Sequence, residues 1–324
     1  MIGRRGMFGA AAMALAAPAW GQGNGQAAWP DRPVRVVVGF PAGGPTDFPA
    51  RLLQEPLQRL WGQPIVIENR AGASGILAAE VVAKAAPDGY SLLMGASTHA
   101  SNPAVYPRLP FDTVRDFTPI VAIYNSPTVL FVAPDSPWHT MQELMAEMRR
   151  TPGMVYATSG NGTSGHFAAA MFSLRQHVEL THVAYRGASP AFQDVMTGRV
   201  PMTFSTLSGA LPLARDGKLR ALAICGAQRV EVLPGVPTLD EVGLGIPDTS
   251  PWYGFIGPAG MAPALVERIA HDVQGVLQRP EIARRIIDQG GIIMAEGPAA
   301  FAARISHEMA ETAAVARDAN IRSE

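Results

Sequence analysis

Two turns rich in Gly and hydroxyl side chains hold the residues best suited to chemistry. The first runs Phe40-Pro41-Ala42-Gly43-Gly44-Pro45-Thr46-Asp47. The second runs Thr158-Ser159-Gly160-Asn161-Gly162-Thr163-Ser164-Gly165-His166. Each follows an apolar run and opens a segment with helical spacing. The first turn of a helix leaves backbone N–H groups without partners and carries the positive end of the helix dipole, so it attracts anions. Glycines allow close approach of a ligand, and Thr46, Ser159, Thr163 and Ser164 add hydroxyls that bond to carboxylate oxygens. Taken singly, each turn is equally well explained as an N-cap with a tight glycine bend. Two of them, one in each half of the chain, point to a cleft that grips an anionic ligand from both sides.

Other chemistry is less well supported. Gly160-Asn161-Gly162-Thr163-Ser164-Gly165 matches the G-x-G-x-x-G dinucleotide fingerprint, so a secreted α/β enzyme binding a nucleotide is the alternative reading. Against it, Glu179 precedes the next strand instead of ending it, where a ribose-binding acid belongs. No G-x-S-x-G elbow and no H-E-x-x-H pair occurs, so neither a serine hydrolase nor a zinc site is expected. His166 is placed either to donate to a ligand or to cap its helix. Cys225, the single cysteine, sits in the apolar run Leu222-Ala223-Ile224-Cys225 and reads as a small buried hydrophobe. Thr98, His99 and Asn102 follow a strand at the position where α/β folds place ligand contacts, or else cap a turn before Pro103. No cofactor and no metal are expected.

The elements that must position these turns follow from periodicity. Val34 to Val38, Ile65 to Ile67, Tyr90 to Gly95, Val129 to Val132, Val155 to Ala157, Leu180 to Tyr185, Met202 to Phe204 and Leu219 to Ile224 read as strands. Helical patterns cover Asp47 to Leu60, Ile76 to Ala85, Thr140 to Arg150, His166 to Gln176, Pro190 to Thr197, Ala264 to Gln278, Glu281 to Gln289 and Pro298 to Val315. Strands alternating with helices predict an α/β fold with mainly parallel sheets flanked by helices. Pro234 to Pro258, dense in Pro and Gly, reads as connecting loops and a crossing between lobes. A chain of 324 residues with 48% apolar and 16% charged residues is globular and long enough for two lobes. Lys plus Arg number 26 and Asp plus Glu 27, with no basic tract, which gives no electrostatic case for nucleic acid.

The N-terminus reads as an address. Arg4 and Arg5 precede the apolar Met7 to Ala17, and Ala17-Pro18-Ala19 is a small-x-small cleavage site. Residues 1–21 are thus expected to be a cleavable export signal, with twin-arginine export as one route beside the general one. Its removal takes the formal charge from −1 to −3.

Further motifs carry a resemblance. Gly39 to Gly44 with Asp47, Ala50 and Arg51 is similar to the opening of the extracytoplasmic solute receptors of tripartite tricarboxylate transporters, the Bug receptors. Val66-Ile67-Glu68-Asn69-Arg70, Pro87-Asp88-Gly89-Tyr90, Asp116-Phe117-Thr118-Pro119, Tyr185-Arg186-Gly187 and Pro237-Thr238-Leu239 extend the likeness along the chain from about Trp29. The resemblance implies a two-lobed flytrap of the type II periplasmic-binding-protein class, with residues 29–127 and 250–324 in one lobe and 128–249 in the other. It implies a periplasmic, monomeric receptor that holds a small carboxylate and delivers it to integral membrane permease subunits; a receptor feeding a membrane sensor would carry the same signature. Carried over residue by residue, the first loop offers Phe40, Ala42, Thr46 and Asp47, and the second Ser159, Gly160, Asn161, Thr163 and His166. Gly162 completes the second loop, Thr98 joins from the turn after its strand, and Ser205 lies by position at the far end of the cleft. Phe48-Pro49 and Pro201 depart from the family pattern.

Overall fold

The computed structural model describes residues 29–226 and 228–322. The export signal read at 1–21 lies outside them. The chain opens with β1 (Val34–Val38), α1 (Asp47–Trp61), β2 (Ile65–Asn69), α2 (Ile76–Ala83), β3 (Ser91–Ala96), α3 (Thr98–Val105) and β4 (Phe117–Asn125). It continues through β5 (Thr128–Val132), α4 (Met141–Arg150), β6 (Met154–Thr158), α5 (Ser164–Gln176), β7 (Leu180–Ala184), α6 (Ala188–Met196), β8 (Met202–Thr206), α7 (Leu207–Arg215) and β9 (Arg220–Ile224). It closes with β10 (Trp252–Pro258), α8 (Pro263–Leu277), α9 (Pro280–Asp288), β11 (Ile292–Glu296) and α10 (Pro298–Asp318).

These strands form two sheets, ordered β11-β4-β10-β3-β1-β2 and β7-β6-β8-β5-β9. Both faces of each sheet are covered, which is why the central strands are continuous apolar runs. In β1, Val34, Val36 and Val38 pack with Leu53, Leu57, Ile269 and Val273 on one face, while Val37 joins Ala78, Val82, Phe301 and Ile305 on the other. In β5, Leu130 and Val132 face Leu144, Met148 and Phe172, and Val129 and Phe131 face Phe192, Val195 and Leu211. The period-2 alternation of a strand thus feeds two cores per lobe.

The sheets are mixed, a correction to the mainly parallel pairing expected. β1 pairs parallel with β2 and β3, and β6 with β7 and β8, but β10 is antiparallel to β3 and β4, and β5 to β8 and β9. The reason is topological. β1, β3, β6 and β8 end at the cleft, where their turns face the other lobe, whereas β5 and β10 begin there because they bring the chain across from the other lobe. The two crossings touch, with Ser126 N donating to Pro251 O at 3.1 Å.

The segment read as loop up to Pro258 contains β10, every residue of which is buried. Its glycines mark close approach, not turns: a Cβ at Gly254 would stand 2.5 Å from Val121 O, and one at Gly257 would stand 2.1 Å from Met261 Sδ. The residues around Pro103 form α3 with the proline inside it. β4, α7 and β11 are further elements beyond those expected from the sequence.

Candidate functional site

Between the facing ends of the two sheets lies a cavity of about 120 Å³. Phe40, Ala42, Thr46, Thr98, Ser159 and Thr163 line it, so six of the residues singled out in the sequence converge there. The entries to five helices meet at this point: α1 after Thr46, α3 after Ser97, α5 after Thr163, α6 after Gly187 and α7 after Thr206. No charged side chain is among the lining residues. An anion there meets backbone N–H groups, hydroxyls and helix dipoles, which together suit a carboxylate.

Two further cavities flank this one. The first, about 550 Å³, is lined by Gly160 and Asn161 along with Ser74, Tyr106, Tyr185 and Arg186, and it shares Phe40, Pro41, Ser159 and Gly187 with the inner cavity. The second, about 120 Å³, includes Gly162 and shares Ser97 and Ser164 with the inner cavity. It also contains Arg304, Asp248, His307, Glu308 and Glu311. Burial pushes the Glu308 carboxyl up to about 8, even though the indole N–H of Trp252 donates to it.

Asp47, His166 and Ser205 lie off these surfaces, which corrects the expectation that they face a ligand. Asp47 is fully buried and turned back on its own loop. Its Oδ2 accepts from Gly43 N at 2.8 Å and Arg51 Nε at 2.5 Å, and its Oδ1 accepts from Asn69 Nδ2 at 2.8 Å. Burial pulls its pKa upward, but these donors outweigh it and hold the carboxyl below its ordinary value. With its oxygens so occupied, Asp47 fixes the shape of the first loop. His166 does the same for the second: its Nδ1 accepts from Gly162 N at 3.2 Å, and its ring stacks on His182 at 3.8 Å between centroids. Burial lowers His166 to about 3 and His182 to about 4, so both rings are neutral at ordinary pH. Ser205 is buried within β8, and the next residue, Thr206, reaches the inner cavity instead.

The second loop is also tied internally and to the facing lobe. Thr163 Oγ1 donates to Gly160 O at 2.8 Å. From the other sheet, Ser74 Oγ donates to Asn161 O at 2.7 Å and Ser101 Oγ donates to Gly162 O at 2.6 Å. The peptide carbonyls of Gly160, Asn161 and Gly162 in the G-x-G-x-x-G match are therefore occupied by hydrogen bonds within the protein. Among the described residues, no group of three or more His, Cys, Asp or Glu is placed to hold a metal ion. Cys225 is buried among apolar neighbours, and burial pushes its thiol up.

Sequence reasoning missed the start of α6, where Gly187, Ala188, Ser189 and Pro190 form one wall, as well as Ser97, Pro251 and Tyr253. The α6 wall had a signal: strand, glycine and helix follow one another at Ala184, Gly187 and Ala188, the same order as in the two longer turns. Tyr253 and Pro251 lay hidden in the segment taken for loop.

Two α/β lobes that close on a pocket built from helix entries define a solute receptor. The chain belongs to the tripartite tricarboxylate transporter receptor family, whose model, described as "Tripartite tricarboxylate transporter family receptor", matches residues 49–320. It is 32% identical over 293 residues to the protein BugT of Bordetella pertussis, covering 90% of each chain. Among solved structures, an R. palustris protein with adipate is 33% identical with a TM-score of 0.87, covering 90% of this chain and 98% of that one. MatC from Rhodopseudomonas palustris with bound malate is 31% identical with a TM-score of 0.81, covering 89% and 99%.

Proposed function

We propose that this chain is a periplasmic receptor that captures a small carboxylate in the inner cavity and delivers it to membrane permease subunits, making and breaking no bond itself. The observation that carries this reading is the meeting of five helix entries on a cavity without a charged side chain. Relatives solved with adipate and with malate support a carboxylate as the ligand class. The first carboxylate sits among Phe40, Ala42, Thr46, Thr98, Ser159 and Thr163, with the α6 entry closing the site. Residues 29–127 with 250–324 form one lobe and residues 128–249 the other. The ligand favours the closed arrangement because only there do both loops reach it. Export follows from the signal at 1–21, and the receptor acts as a monomer.

A thermal-shift panel of mono- and dicarboxylates, amino acids and aromatic acids tests this function. A ligand at 100 times its Kd adds about 2.7 kcal/mol of apparent stability. A clear rise in Tm with at least one carboxylate is expected; no shift with any acid at millimolar concentration would refute the reading.

A further inference from the structure

Backbone strain gathers at one turn beside the second loop. Among the described residues, five positions other than glycine have a positive φ, and of these only Ala73 at +46° and Ser74 at +50° are adjacent. Residues with a Cβ avoid this left-handed region, and strain of this kind persists where surrounding contacts fix it, above all at clamps and switches. Glycines stand on either side, Gly72 and Gly75, both with positive φ. A third glycine at 74 would remove the strain there, yet the chain keeps a hydroxyl instead. The turn is held from within and from α3: Gly75 N donates to Gly72 O at 3.0 Å, and Asn102 Nδ2 donates to Ser74 O at 3.3 Å.

That hydroxyl works between the lobes. Ser74 Oγ donates to Asn161 O at 2.7 Å, so its 3.2 Å contact with Tyr106 Oη uses the Tyr106 hydrogen. Next to it, Ser101 Oγ of α3 donates to Gly162 O at 2.6 Å. Two successive carbonyls of the second loop are thus held by two serines of the facing lobe. Apolar packing continues the same seam, where Val105 of α3, Ala316 of α10 and Ile321 meet Phe167 and Ala170 of α5. None of these residues lines the inner cavity. A carboxylate held there gains nothing from them by direct contact.

We infer that the turn at 72–75 and the side of α3 next to it form a closure clasp, in which Ser74 and Ser101 are positioning residues that set how tightly the receptor holds every ligand but not which ligand it takes. This rests on the receptor function proposed above and concerns the regulation of that same site. The two donors and their acceptors lie on opposite lobes, so both bonds exist only while the lobes are together. Removing a serine hydroxyl leaves a carbonyl in the closed form without its donor, whereas in the open form water reaches that carbonyl. The closed form alone is penalised. Apparent Kd rises as the closed fraction falls, and it does so by one factor whatever the ligand. Loss of one such bond corresponds to about tenfold in Kd.

The test compares the mature protein with Ser74→Gly, Ser101→Ala and the paired variant, by calorimetric titration with succinate, malate, adipate and benzoate and by small-angle X-ray scattering without ligand. Ser74→Gly removes the hydroxyl and the strain together, so its Tm is expected to hold or rise while Kd increases about tenfold for each acid that binds. A role confined to folding would move Tm down and leave Kd alone. The paired variant is expected to bind more weakly than either single one, by the same factor for each acid, and to scatter with a larger radius of gyration than the unsubstituted protein. An unchanged Kd in the paired variant, a loss that differs from acid to acid, or an equal radius of gyration overturns the clasp while the receptor function stands. Absence of binding by every acid to the unsubstituted protein overturns the receptor function, and the scattering comparison then decides the clasp by itself.

Discussion

Gly162 stands where the second loop meets the facing lobe, and its replacement separates closure from folding. Its φ of +69° is a left-handed conformation, and a Cβ would lie 2.9 Å from Val105 Cγ2 and 3.4 Å from Val105 Cβ. Carbon atoms make favourable contact at about 3.5–4.0 Å, so the new methyl must push Val105 back by roughly half an ångström or more. Val105 is β-branched, stiff at χ1 and buried in α3, so it yields little. The strain of a left-handed alanine, about 1 kcal/mol, acts whether the lobes are together or apart and appears as a Tm lower by about 2–4 °C. The clash acts only when the lobes meet. Moving them apart stretches the 2.6 Å bond from Ser101 Oγ to Gly162 O and leaves a buried carbonyl without its donor, which costs about 1–3 kcal/mol. Gly162→Ala is therefore expected to weaken carboxylate binding about five- to 150-fold, measured by calorimetry beside a thermal melt. Adding Val105→Ala should restore most of the affinity but not the Tm. Unchanged affinity in Gly162→Ala, or a loss that Val105→Ala does not relieve, would refute this account of closure.

Other substitutions and conditions test the rest of the frame. Asp47→Ala leaves Gly43 N–H, Arg51 and Asn69 without their shared acceptor, so chemical denaturation should show a loss of about 1–3 kcal/mol, with weaker ligand binding as the first loop relaxes. Gly165→Ala places a Cβ 2.1 Å from the backbone oxygen of Phe204, and soluble expression of that variant should collapse while Gly235→Ala, with open space around it, expresses normally. His99, His166 and His182 are held by burial at about 4, 3 and 4, below the value of 6.5 they regain on unfolding. Their contribution is complete above pH 6.5 and drains away as the pH falls toward 4. Glu308, raised to about 8, acts in the opposite sense: its contribution is complete below about pH 4.5 and lost as the pH rises through 8. Urea melts between pH 4 and 9 should give greatest stability near pH 6–7, with Glu308→Gln flattening the alkaline side; an alkaline limb unchanged by that substitution would contradict the burial of this carboxyl.

Much of the frame is legible in the sequence because burial on two faces leaves a simple record. The valines of β1 and the run Val129 to Val132 read as strands because each alternate residue feeds a different core. β10 does not read that way, since Gly254 is set by the approach of Val121, a partner far away in the chain, and Gly257 by Met261 folding back from the turn after the strand. α3 is obscured by Pro103 and its polar neighbours, whose burial depends on tertiary contacts. At the site, the turns themselves are visible from glycine and hydroxyl spacing. Which way a polar side chain points is not: Asp47 and His166 have the residue types of ligand contacts, but they satisfy N–H groups four positions away in their own loops. Ser74 and Ser101 reach carbonyls 87 and 61 residues distant, so no local pattern marks them.

The absence of a charged side chain from the inner cavity has a consequence for work in varied media. At an ionic strength of 0.15 M the screening length is about 8 Å, so dissolved salt weakens pairings between exposed ions far more than those inside a protein. The inner donors are peptide dipoles and hydroxyls held between two lobes, and they have no mobile counter-ion to give up. Their hold on a carboxylate should change little between fresh and brackish water.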